Sequence, residues 1–110
     1  MQVKFYPKEI AAKLPTSLFA RITYNYNSLK LYTDLKIIPD QWDGKNQRAK
    51  TAMTGSPEFN HRITKYTERI QQCFNRFQNE HGNKEPDKET LKKLLFTEFA
   101  KGLPKEMAQE

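Results

Sequence analysis

Arg21, Thr23 and Asn25 alternate with apolar neighbours in the run LFARITYNY, and Lys30, Tyr32, Asp34 and Lys36 alternate in the run LKLYTDLKI just after it. A spacing of two places each set on one face of an extended strand. Guanidinium and carboxamide groups held this way match the edges of bases, Arg gripping O6 and N7 of guanine and Asn gripping N6 and N7 of adenine. Ammonium groups and the hydroxyls of Thr and Tyr suit phosphate oxygens better. Arg21 and Asn25 are therefore candidates for base contact, and Thr23, Lys30, Tyr32 and Lys36 for backbone contact. Asp34 is the acid among them. The competing reading is an ordinary solvated sheet surface, which alternation produces just as readily.

The elements that must hold this face are legible on its reverse. Leu18, Ala20, Ile22, Tyr24 and Tyr26 share the other side of the first run, and Leu29, Leu31, Thr33, Leu35 and Ile37 that of the second. Residues 25–28, Asn-Tyr-Asn-Ser, tolerate left-handed backbone, so the two runs form a β-hairpin. Residues 3–6 are β-prone and end at Pro7, which predicts a short further strand and a sheet over about 3–38. Residues 8–16 carry conflicting signals and receive no assignment. Residues 39–43 read as one helical turn that folds Trp42 onto the apolar face. Residues 44–55 show no apolar period and read as a mobile connector; its Lys45, Arg48 and Lys50 can track a phosphate strand or simply be solvated.

Ser56, Pro57 and Glu58 form a helix start, with a hydroxyl cap, a proline at the first position and an acid at the positive end of the dipole. Phe59, Ile63, Tyr66, Ile70, Cys73 or Phe74, and Phe77 then recur every three or four residues, which predicts a helix over 57–81 closed by Gly82. Arg62, Lys65, Arg69 and Arg76 lie off the stripe, as a solvated face or as phosphate contacts. Asp87 caps a second helix carrying Leu91, Leu94, Leu95 and Phe99, ending near Gly102 and Pro104; residues 105–110 have little reason to be ordered. The fold class is α+β.

With 110 residues the chain fits one small domain, or one and the start of another, and a buried catalytic cleft is not expected. A net charge of +6 and a pI near 9.5 favour a polyanionic partner without separating DNA, RNA and acidic lipid. The single cysteine, Cys73, permits no internal disulfide and no thiolate cage, and suits a buried thiol packed between helices. His61 and His81 stand twenty positions apart without ligand-spaced partners, so no metal is expected. Neither a glycine-rich phosphate loop nor a GxSxG or HExxH motif occurs, and no cofactor is expected. No apolar run approaches the roughly 20 residues of a bilayer span, and the start MQVKFYPKEI lacks a signal-peptide core; a cytoplasmic protein is expected.

Residues 19–43, FARITYNYNSLKLYTDLKIIPDQWD, resemble the arm-type DNA-binding domain of tyrosine recombinases, the integrases of phages and mobile elements, in their Bacteroidetes-like form. The pattern is carried by Arg21-Ile22-Thr23, by Tyr32-Thr33-Asp34-Leu35-Lys36-Ile37 and by Pro39-Asp40-Gln41-Trp42-Asp43. Two departures are Asp34, where the family often has glycine, and Tyr26-Asn27-Ser28, where its turn usually contains glycine. The resemblance covers roughly residues 1–82 and implies a three-stranded antiparallel sheet packed on a long helix, with residues 83–110 a C-terminal helix and tail leading toward an absent core-binding domain. It further implies double-stranded DNA as partner, the sheet in the major groove of arm-type sites, other recombinase subunits met through absent domains, and a chain that is not itself an enzyme. The rival readings are a protein-interaction or dimerisation module, or a duplex-RNA-binding domain.

Overall fold

Alternation is strongest through residues 16–37, and in the computed structural model, which describes residues 1–100, that stretch builds most of a three-stranded antiparallel sheet. β1 (Gln2–Pro7), β2 (Thr16–Tyr24) and β3 (Asn27–Ile37) lie in chain order, with β2 central. Phe5, Leu18, Ala20, Ile22, Leu29, Leu31, Leu35 and Ile37 are buried together on one side. The β2–β3 connection is the residue pair Asn25 and Tyr26, at φ 45° and 66°, between the paired Tyr24 and Asn27. Positive φ at both positions is the type I′ geometry, whose twist matches that of the flanking strands. Asn accepts it readily; Tyr does so at a cost, since its Cβ crowds the following carbonyl.

The turn corrects two expectations. The alternation stops at Tyr24, so Tyr26 is not on the apolar face but fully exposed at the hairpin tip. Asn25 likewise sits in the turn and not on the outer face of the strand. Reversal of the chain at 25–26 overrides a period that the residue types alone would continue.

Near the other end of the hairpin the register slips: Phe19 faces Tyr32, while Ser17 faces Lys36. β3 therefore carries the surplus residues, a bulge of the kind that re-aims side chains. The Thr33 hydroxyl mends the ladder, donating to the Leu18 carbonyl at 2.9 Å and accepting from the Leu35 N–H at 3.1 Å. Asp34, inside the bulge, accepts from Nη2 of Arg62 through both carboxylate oxygens, at 2.9 and 2.8 Å.

A 3₁₀ turn (Pro39–Gln41) delivers Trp42, which is buried against the edge of the Phe59 ring with centroids 6.3 Å apart. Residues 44–55 are not a structureless connector. β4 (Trp42–Asp43) pairs with β5 (Arg48–Ala49). The Asp43 carboxylate closes the turn between them, accepting from the N–H groups of Lys45 and Asn46 and from the Asn46 carboxamide. These bonds, the Asn46 side chain foremost, hold the Asp43 carboxyl below its ordinary range. Gln47, at φ 57°, accepts from the Phe5 N–H and donates to the Phe5 carbonyl, tying the hairpin to the edge strand β1. Asn60 does the same for Ala49, accepting from its N–H at 2.7 Å. Carboxamides thus supply backbone pairing that periodicity cannot announce.

α1 (Ser56–Glu80) begins with the Phe59 N–H bonded to the Gly55 carbonyl, Gly55 turning the chain in at φ 79°. It ends as a Schellman motif: Gly82 is left-handed at φ 65°, and the Asn83 N–H reaches back to the Gln78 carbonyl at 2.7 Å. The contacts divide the chain into two compact units, Met1–Ile63 and Thr64 onward. In the first, the opening turns of α1 bring Phe59 and Ile63 into the core with the sheet. In the second, Tyr66, Ile70, Cys73 and Phe74 are buried with Leu91 and Leu95 of α2 (Lys88–Ala100). Asp87 caps α2, accepting from the Thr90 N–H at 2.8 Å; the Thr90 hydroxyl first, and then this N–H, hold its carboxyl below the ordinary range. Tyr66 stacks on Phe99 with centroids 5.5 Å apart. The expected end of this helix near Gly102 and Pro104, and the tail 105–110, lie outside the described residues.

Candidate nucleic-acid interface

Register turns the outer face of the sheet into rows. Gln2, Thr23 and Ser28 stand side by side across the three strands, then Lys4, Arg21 and Lys30, then the rings Tyr6, Phe19 and Tyr32. Beyond the bulge, Ser17 faces Lys36. Four of the residues singled out in the strands, Arg21, Thr23, Lys30 and Tyr32, are thus brought onto one continuous surface, with Lys36 at its end. Lys30, Tyr32 and Lys36 are exposed, Arg21 and Thr23 half-buried.

The middle row runs against stability. Like charges directly opposite each other on a sheet cost a few tenths to about 1 kcal/mol per pair. Here Lys4, Arg21 and Lys30 form two such contacts in sequence, and among the described residues none of them has a carboxylate partner. What offsets the repulsion is the neighbouring row of rings. Lys30 Nζ lies 4.7 Å from the Phe19 centroid, and Arg21 Cζ lies 5.9 Å from those of both Tyr6 and Phe19. Arg21 Nη1 also donates to the Ser28 hydroxyl at 3.3 Å. The guanidinium is oriented, and its charge is unneutralised.

Asp34 does not act as a free anion on this surface, because Arg62 pairs with it at 2.8 Å. The other helix cations are engaged too. Lys65 lies 3.7 Å from Glu68, and Arg69 and Arg76 both reach Glu98 at 3.1 Å. The cations of α1 therefore belong to ion pairs, and the candidate interface narrows to the sheet and its surroundings.

Asn25 stands at the tip of the hairpin, beyond the polar row. Lys45, Arg48 and Lys50 are exposed on and beside the β4–β5 hairpin, which Gln47 fastens to β1. Three further groups are not signalled by residue types. Lys4 and Tyr6 join the face through the register of β1, a strand too short to display its period. Lys8 and Lys13, from the unassigned stretch, line an open hollow of about 540 Å³ with Lys36, Thr16, Ser17 and Glu9. Phe19 is an outward position in β2 by alternation alone, and its role as the centre of an aromatic row emerges only once strands are paired.

Among the described residues no group of three or more His, Cys, Asp and Glu could hold a metal ion, and no helix is long and apolar enough to cross a membrane. No curated protein and no solved structure matches the chain. A family model described as Arm DNA-binding domain matches residues 7–92, a span that takes in β2, β3, the second hairpin and the whole of α1. A cationic, partly aromatic sheet face on a chain matched over most of its length accords with that description, and this chain belongs to the Arm DNA-binding domain family.

Proposed function

We propose that the outer face of the sheet enters the major groove of duplex DNA at arm-type sites and so positions a tyrosine recombinase on the DNA of a phage or mobile element. The observation that carries this reading is the row Lys4, Arg21 and Lys30, cations aligned at a cost to the fold and without a carboxylate among the described residues. Three strands spaced about 4.8 Å apart set the outer strand axes about 10 Å apart, comparable with the roughly 12 Å width of the major groove in which the face would lie. Arg21, oriented by Ser28 and the rings, is the guanine reader, and Asn25 reaches adenine from the tip. Lys30, Lys36, Thr23 and Tyr32 bind phosphates, joined by Lys45, Arg48 and Lys50. Strand cleavage and the contacts with other recombinase subunits belong, on this reading, to other domains, and this chain catalyses nothing by itself.

A fluorescent duplex titrated with the protein between 50 and 200 mM salt tests the electrostatic part of the proposal. About five phosphate contacts give a log–log slope near −4 to −5. A flat response refutes it.

A further inference from the structure

Beside the cationic row, the middle of the outer face is built of rings. Phe19 is only 8% exposed although it stands on the side away from the core, while Tyr6 and Tyr32 flank it at 38% and 56%. Their centroids lie 5.7 and 5.8 Å from that of Phe19, at interplanar angles of 35° and 55°. Cations sit over all three: Lys30 over Phe19 at 4.7 Å, Arg21 over Tyr6 at 5.9 Å and Lys8 over Tyr32 at 5.9 Å. Mutually tilted rings, each with a face taken by a cation, make a poor platform for stacking unpaired bases, which needs open π-faces. They make instead an apolar ridge rimmed by positive charge.

In the major groove the apolar group that a base pair offers is the C5-methyl of thymine. Resting on the DNA-binding reading above, we infer that the rings of Tyr6 and Tyr32, spaced by Phe19, pack against thymine C5-methyl groups, the Tyr32 hydroxyl alone serving the phosphate contact, so that this face selects A·T pairs beneath its aromatic row. The row of cations alongside supplies charge attraction, which all sequences share; the ridge supplies a preference that charge cannot.

The test is a selection of duplexes from a random library, followed by rebinding of the enriched duplex synthesised with either thymine or deoxyuridine. Each methyl lost from a packed contact lowers affinity about fourfold, so a duplex contacted by both tyrosines falls on the order of tenfold. Tyr32→Ala should bind the two duplexes more nearly alike, while Tyr32→Phe keeps the discrimination. The thymine and deoxyuridine comparison uses the unaltered protein and so stands even if Tyr32→Ala fails to fold. Equal affinity for both duplexes, with salt-dependent binding intact, overturns the methyl contact and leaves the DNA-binding reading standing. Tighter binding of the corresponding single strand overturns it in favour of base stacking. Retention of no duplex at any salt concentration removes the DNA-binding reading and this inference together.

Discussion

The sheet face and α1 employ arginine in opposite ways: each arginine of α1, Arg62 among them, has a carboxylate, and Arg21 has none among the described residues. From Thr64 onward, Arg69 and Arg76 converge on Glu98, each at 3.1 Å, and the charges close on one another. Within Met1–Ile63, Arg21 is set between Lys4 and Lys30, steadied by a hydroxyl and by ring faces. On the DNA-binding reading, a guanidinium that serves the fold is given a carboxylate, whereas one proposed to serve a partner is held in place and left charged. The difference separates ion-paired from unpaired guanidinium groups in a chain where composition counts them all alike.

Breaking the functional side should have the largest effect. Arg21→Ala removes the guanine contact, worth about 1–3 kcal/mol, and Lys30→Ala one counterion-releasing phosphate contact, worth nearly tenfold at 0.1 M salt, so the double variant should lose at least roughly 50-fold in affinity for duplex DNA. The melting temperature should hold or rise, because cross-strand repulsion is relieved. Loss of binding with a collapsed melt would mean that the cations are structural after all. On the other side, Glu98→Gln should cost about 1–2 kcal/mol of stability in chemical denaturation, the share of hydrogen bonds made to charged groups, and leave DNA affinity unchanged.

Acid sharpens the same contrast. Burial on its own would raise the Glu98 carboxyl, but hydrogen bonds and charge from Arg76 and Arg69 prevail and hold it low. A carboxyl depressed in the folded state stabilises fully above its unfolded value, near pH 4, and loses that contribution as pH falls through the folded one. Asp43 and Asp87 are shifted in the same direction. The wild-type melt should therefore decline below about pH 4, and Glu98→Gln should flatten part of that decline.

The smallest change concerns the hairpin tip. Tyr26→Gly relieves a side chain at φ 66° and should stabilise the protein by about 1 kcal/mol, several degrees in the melt. No gain would mean that Tyr26 makes a compensating contact.

How far the residue types reach can be judged from particular places. The β2 and β3 alternation, the stripe of α1 and the Asp87 cap each depend on neighbours within a few positions, and each is found. The aromatic and cationic rows depend on register, which the turn at Asn25 and Tyr26 sets against local propensity; the expected place of Asn25 on the strand face fails for that reason. The bulge at Asp34 and its Arg62 partner, 28 positions away, leave no periodic trace. Nor does the ordering of residues 44–55, where Gln47 reaches Phe5 across 42 positions. Individual candidates are legible in the residue types, and their assembly into rows is not.

On the DNA-binding reading, the outer rows of the sheet are what DNA touches. Chemical-shift mapping of the labelled protein with an enriched duplex tests it directly. Perturbations should cluster at Lys4, Arg21, Lys30 and Tyr32 and spare Arg69, Arg76 and Glu98. Perturbations confined to the helices, with the sheet silent, would show that the sheet face does not meet DNA.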